Sequence, residues 1–148
     1  MFRRSKSRYP LDELTQLPTR AAAKTALARL SDGDAVVMLD LDDLKSVNDV
    51  YGHDAGDEHL VRVADELASA IRRDDIVARW GGDEFVLVLR GAGNAANAIV
   101  DRLRVVSRVR FSAGVAVHEG GDPMRTLNAA DEALLQAKRS GGDLVVEA

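Results

Sequence analysis

The chain has 148 residues, the size of one domain of ~100–200 residues, and a chain this long buries ~68–70% of its unfolded surface. Twenty basic against 24 acidic residues give a net charge of −4. That excludes electrostatic wrapping of a nucleic-acid polymer and leaves open a nucleotide held through metal ions. Cys is absent and no apolar run exceeds five residues. A disulfide scaffold, a Cys-based zinc site and a membrane-spanning helix are therefore excluded, and a reducing, cytoplasmic setting fits.

Residues 1–10 are basic and lack the apolar stretch of a signal peptide, so they read as a loose tail before a single domain over 11–148. Thr19 is a natural N-cap for a helix over Arg20–Leu30, with Ala22, Ala26 and Leu30 inward. Ala35–Leu41 is a short continuous apolar run, the pattern of a buried strand. A short helix over Leu44–Val50 and a loop over Tyr51–Gly56 follow. Asp57 then caps a helix over Glu58–Arg72, with Leu60, Ala64, Leu67 and Ile71 as its apolar stripe.

Asp75–Trp80 and Glu84–Leu89 read as strands joined at Gly81-Gly82, a pair suited to a tight primed turn with positive φ. A helix over Ala95–Val105 turns Ile99 and Leu103 inward. Val109–Val117 is a strand, Met124–Arg139 a helix with Leu127, Ala130 and Ala137 inward, and Leu144–Glu147 a last strand. Strands alternating with helices suggest parallel neighbours, and the hairpin adds an antiparallel pair. The fold class is therefore α/β (α+β), a mixed central sheet flanked by helices.

The chemistry gathers at strand ends. The apolar strand runs directly into Asp40, Asp42 and Asp43, and period-two alternation puts Asp40 and Asp42 on one side. Asp83 and Glu84 follow the double glycine. If the two strands are neighbours, Asp40 and Asp83 meet at one sheet edge. Clustered carboxylates repel unless a cation sits between them, and Mg²⁺ is suited to one or two carboxylates plus water and phosphate oxygens.

The stretch Gly81-Gly82-Asp83-Glu84-Phe85 resembles the signature hairpin of the GGDEF family, the diguanylate cyclases. The likeness extends in order and spacing from residue 11 to about 146. It takes in Asp12-Glu13-Leu14-Thr15, the run Asp40 to Asp49, Tyr51-Gly52-His53, Gly56-Asp57, Ser112-Ala113-Gly114 and the helix around Ala137-Lys138. It implies a palm-like sheet of nucleotidyl-cyclase type and the joining of two GTP molecules into cyclic di-GMP with release of two pyrophosphates. The active site would lie between two protomers of a homodimer.

By the same resemblance Asp40, the Leu41 carbonyl and Asp83 hold metal, Mg²⁺ or Mn²⁺, two ions per site. Asp83, Glu84 and Lys45 serve catalysis. Asn48, Asp57 and His53 contact the nucleotide, as do Asp43, Leu44, Gly81, Gly82 and Lys138 around its phosphates. A carboxylate at 57 can accept from guanine N1–H and N2–H together, which favours GTP over ATP. Arg72 and Asp75 fit an Arg-x-x-Asp site where the product binds and inhibits.

The chain departs from the family pattern at Gln16, Thr19, Leu44 and Leu135, and at Gly142, where an Arg that faces phosphate is usual. Family members also usually carry a sensor or receiver domain that pairs two catalytic domains. These departures define the alternative expectation, a degenerate domain that binds GTP or cyclic di-GMP and signals to a partner.

Overall fold

The computed structural model describes residues 9–148; most of the expected basic tail, residues 1–8, lies outside the described residues. The chain is tied in by residue 10, since Pro10 O accepts a hydrogen bond from Thr19 N–H at 3.1 Å. The elements are α1 (Arg20–Leu27), β1 (Ala35–Leu41), α2 (Leu44–Tyr51), α3 (His53–Ala70), β2 (Ile76–Arg79) and β3 (Glu84–Leu89). A 3-10 turn (Gly93–Ala95) precedes α4 (Ala96–Val106), β4 (Phe111–Val117), α5 (Pro123–Arg139) and β5 (Val145–Glu147).

The five strands form one mixed sheet in the order β2-β3-β1-β4-β5. The expectation of parallel neighbours is corrected. β1 is antiparallel to both β3 and β4, and only β4 and β5 pair in parallel. The helices do join strands of one direction, because β2 and β3 are also antiparallel. What breaks the neighbour rule is insertion: β3 lies between β1 and β2, and β1 lies between β3 and β4.

Alternation along β1 builds two cores. Ala35, Val37, Leu39 and Leu41 face α3 and α4 with Phe85, Leu87, Phe111, Val63 and Leu67. Val36 and Met38 face α1 and α5 with Val86, Val88, Ala26, Leu127 and Leu134. Each of the Val, Leu, Met and Phe side chains, once buried, contributes about 1.5–3 kcal/mol. On the second face Gly114 lets α5 lie directly on β4, since a Cβ there would stand 2.1 Å from Ala130 O and 2.3 Å from Leu134 N.

Four local expectations change. The loop expected over Tyr51–Gly56 shrinks to Gly52, whose φ of +90 breaks α2 from α3. Asp57 is therefore inside α3 and caps nothing. The hairpin at Gly81-Gly82 forms, but β2 ends at Arg79, and Trp80 and Gly81 both donate N–H to Glu84 O. Neither glycine has positive φ, so this is a wider turn than the primed type. On α4 the buried residues are Ala96 and Val100, while Ile99 is 42% exposed. Thr19 caps α1 as expected, accepting from Ala22 N–H at 3.4 Å.

Candidate active site

The end of the sheet where β1 delivers its acids holds the candidate site. The β1–β3 register places Asp40 opposite Glu84, and Leu41 N–H continues the ladder to Asp83 O at 3.2 Å. Asp40, Asp83 and Glu84 therefore converge because β3 returns beside β1. Asp40 and Asp42 do share one side, the α5 side, where Lys138 meets both. Its Nζ lies 2.9 Å from Asp42 Oδ1, 3.0 Å from Leu41 O and 3.6 Å from Asp40 Oδ2.

The two aspartates are held differently. Asp42 is saturated: Oδ1 accepts from Ser112 Oγ at 2.8 Å and from Lys138, and Oδ2 accepts from Asp143 N–H at 2.7 Å. Burial opposes its ionisation, but the bonds from Lys138, Ser112 and Asp143 prevail and hold its carboxyl below the usual range. Asp40 goes the other way, pushed up to about 7. Burial is the main cause, Lys138 offsets part of it, and Asp83 and Glu84 add to it. Its Oδ1 is buried without a hydrogen-bond partner among the described residues. Glu84 is raised as well, by burial and then by Asp131 and Asp83.

Among the described residues no group of three or more His, Cys, Asp or Glu side chains is arranged to hold a metal ion. Two carboxylates, one with an orphaned buried oxygen, together with the Leu41 carbonyl nonetheless fit a cation that takes few protein ligands and completes its shell with phosphate and water. Open space adjoins them at Gly82, where an added Cβ would meet nothing within 4 Å.

Sequence reasoning missed what holds the turn. Arg79 donates from Nε to Gly81 O at 3.2 Å and from Nη2 to Gly82 O at 2.7 Å, while Nη1 pairs with Asp12 Oδ2 at 3.1 Å. Asp12 in turn accepts from Thr15 N–H and Oγ1. Beside them the Arg20 guanidinium lies 4.3 Å from the Trp80 ring centroid. A basic residue ending a strand just before a glycine turn was the available signal, since the free glycine carbonyls need donors.

The other expected residues lie on and beside α2 and α3. Asp43 adopts φ +58 ahead of α2 and leaves its first-turn N–H groups without a side-chain cap. Its carboxylate meets Arg110 Nη1 at 3.4 Å. Lys45 on α2 and His53 at the start of α3 are exposed and are not drawn into the acidic cluster. Asn48 packs its amide against Gly56, where a Cβ would stand 1.9 Å from Asn48 Oδ1. That oxygen is buried and has no hydrogen-bond partner among the described residues. Asp57, one residue on, lines a groove of about 580 Å³ with Leu14, Glu58, Val61, Arg62 and Arg108.

Gly142 takes φ +75, and a Cβ there would lie 3.0 Å from Asp42 Oδ1. The backbone at this position is therefore fitted to glycine.

Arg72 and Asp75 lie at the far end of β3, beside Arg90. Asp75 Oδ2 accepts from Arg72 N–H at 3.0 Å and Oδ1 from Arg90 N–H at 2.8 Å, and Arg72 Nη2 donates to Arg90 O. The Asp75 side chain is 3% exposed and that of Arg72 66%. Asp75 is thus the buried partner, and the Arg72 guanidinium is open to solvent.

Comparison with known proteins agrees with this geometry. The family model "Diguanylate cyclase, GGDEF domain" matches residues 10–143. Diguanylate cyclase DgcM of Escherichia coli is 38% identical over 125 residues, covering 77% of this chain and 30% of that protein. Response regulator PleD of Caulobacter vibrioides is 34% identical over 161 residues, covering 94% of this chain and 33% of that protein. The chain thus spans about a third or less of these curated relatives. Among solved structures, diguanylate cyclase SiaD in complex with its activator SiaC, from Pseudomonas aeruginosa, gives a TM-score of 0.85 at 38% identity, covering 93% of this chain and 61% of that one. The GGDEF domain of DgcB from Caulobacter crescentus, in complex with c-di-GMP, gives 0.85 at 26% identity, covering 97% and 98%.

Proposed function

This chain belongs to the GGDEF family of diguanylate cyclases, and we propose that it condenses two GTP molecules into cyclic di-GMP with release of two pyrophosphates. The observation that carries the reading is the meeting of Asp40, Asp83 and Glu84 across the β1–β3 ladder with Lys138 beside them. Asp40, Asp83 and the Leu41 carbonyl would hold Mg²⁺ or Mn²⁺, two ions per site. Bound there, the cations neutralise charge on the α-phosphate and ease ionisation of the attacking 3′-hydroxyl.

The remaining roles belong to the chain itself. The uncapped N–H groups ahead of α2 and the cations of Lys45 and Lys138 orient the triphosphate. Gly81 and Gly82 let it approach the turn that Arg79 fixes. Asn48 and Asp57 hold the guanine, with His53 at its edge. Asp83 helps activate the hydroxyl, and Glu84, with its raised pKa, supports the proton's departure. Each protomer presents one GTP, so bond formation at both 3′-oxygens needs two copies facing each other in the cytoplasm. Cyclic di-GMP acts back through the exposed guanidinium of Arg72, oriented by Asp75.

The alternative reading, a nucleotide-binding module, is favoured by one observation. Gly142 is fitted against the Asp42 carboxylate and supplies no phosphate contact. Product formation separates the two. GTP and Mg²⁺ are incubated with the protein over a concentration series, beside Asp83→Ala. Cyclic di-GMP whose rate per protomer rises with concentration, and is lost in the variant, is the expected result. Nucleotide binding without product at any concentration would leave the binding-module reading.

A further inference from the structure

Lys138 stands where a cation is called for. Three oxygens surround its Nζ within 3.6 Å, and two of them, Leu41 O and Asp40 Oδ2, belong to the groups proposed to hold the divalent ions, with Asp40 Oδ1 left unpartnered among the described residues. The third, Asp42 Oδ1, is the closest at 2.9 Å. Asp42 also accepts from Ser112 Oγ and Asp143 N–H, which pin it in place. An ammonium carries only donors and can move by rotation of its flexible stem. It can leave Leu41 O and Asp40 while keeping Asp42 as a pivot.

We propose that Lys138 is a displaceable resident counter-ion of the acidic site. Without nucleotide, its ammonium holds the Leu41 and Asp40 oxygens and excludes a divalent ion from them. Phosphate groups draw it away and open those oxygens, so nucleotide and divalent ion load together. The inference rests on the cyclase reading of the site. It goes further in assigning Lys138 a second partner set and in predicting an order of binding. Because two ligands that compete with or assist each other do so reciprocally, the effect is readable from either side.

The test uses the free Mn²⁺ signal in electron paramagnetic resonance, which measures binding without turnover. Wild-type protein and Lys138→Met are titrated with Mn²⁺ alone and then with a non-hydrolysable GTP analogue, with the analogue's own chelation subtracted. In the wild type the analogue should tighten Mn²⁺ binding by about tenfold or more. Without the analogue, Lys138→Met should bind Mn²⁺ about tenfold more tightly than the wild type, and the analogue should add little further. Its melting temperature should drop in chelator and recover with Mn²⁺ by more than that of the wild type. Lys138→Gln, which keeps a donor and part of the stem, should fall between and serves if the Met variant does not fold.

Unchanged Mn²⁺ affinity in both variants without nucleotide overturns the inference and leaves the cyclase reading standing, provided the wild type binds Mn²⁺ with the analogue. Failure of the wild type to bind Mn²⁺ even with the analogue overturns both.

Discussion

Gly56 lies inside α3, where glycine is a poor choice on propensity alone. Replacement by Ala should gain about 1 kcal/mol of helix stability if nothing stood in the way. The obstacle is the Asn48 amide, 1.9 Å from the new Cβ at Oδ1 and 2.8 Å at Cγ. The clash falls on the tip of a side chain, so it is relieved by swinging the amide out rather than by moving backbone. Gly56→Ala should therefore keep its stability within about 1 kcal/mol of the wild type in urea unfolding. It should still lose the contact proposed for Asn48 with the base. One such hydrogen bond is about 0.5–1.5 kcal/mol, or roughly 2- to 12-fold in affinity for a GTP analogue by calorimetry. A double-mutant cycle with Asn48→Ala sharpens the point, because the pair should lose no more than Asn48→Ala alone. Wild-type affinity in Gly56→Ala, or additive losses in the pair, would refute the idea that this glycine positions the amide.

Arg79→Ala removes both turn carbonyl bonds and the Asp12 pair, at about 1.5–3 kcal/mol for charge-assisted bonds. For a chain of this size that lowers Tm by roughly 3–12 °C, and cyclase kcat should fall with it; Arg79→Lys should recover part of the Tm but little kcat, since a single ammonium cannot bridge both glycine carbonyls. Asp40 is raised to about 7 from an unfolded value of 3.8. The folded state then binds the extra proton, and stability in chelator should fall as pH rises from about 4 through 7. Asp40→Asn should flatten that fall in pH-resolved thermal melts, and an equal slope in both proteins would contradict the assignment. Arg72→Ala should abolish inhibition by cyclic di-GMP with a stability change within about 0.5 kcal/mol. Asp75→Ala should instead unfold at lower urea, because it leaves Arg90 N–H without its partner.

Much of the site was legible because it is built on a strand. Alternation alone put Asp40 and Asp42 on one side, and the apolar run of β1 announced a buried strand. The neighbour relations were not legible, because they depend on where β3 and β1 insert, and helical connections fix strand direction rather than adjacency. Gly52 hid a helix boundary, since a single positive-φ residue suffices where a loop of six had been expected. Arg79 and Asp12 were invisible as a pair because 67 residues separate them and neither belongs to an acidic cluster. The opposite fates of Asp40 and Asp42 were likewise unreadable: both are aspartates two residues apart, and only the placement of Ser112, Lys138 and Asp143 N–H divides them.

The contact of Gly114 with Ala130 O and Leu134 N has a bearing on time as well as on space. Lys138 follows Leu134 by one turn, about 6 Å along α5. A helix wedged that closely onto an interior strand has no room to slide or tilt unless the sheet itself comes apart. The amides around Ala130–Leu134 and along β4 should therefore exchange with solvent only through global opening. The turn at Gly81-Gly82, outside the ladder, should open more readily. The fast steps of a catalytic cycle would then be side-chain rotations and loop excursions over a frame that does not breathe on that timescale. In deuterium exchange, the slowest amides of the molecule should lie one helical turn from Lys138.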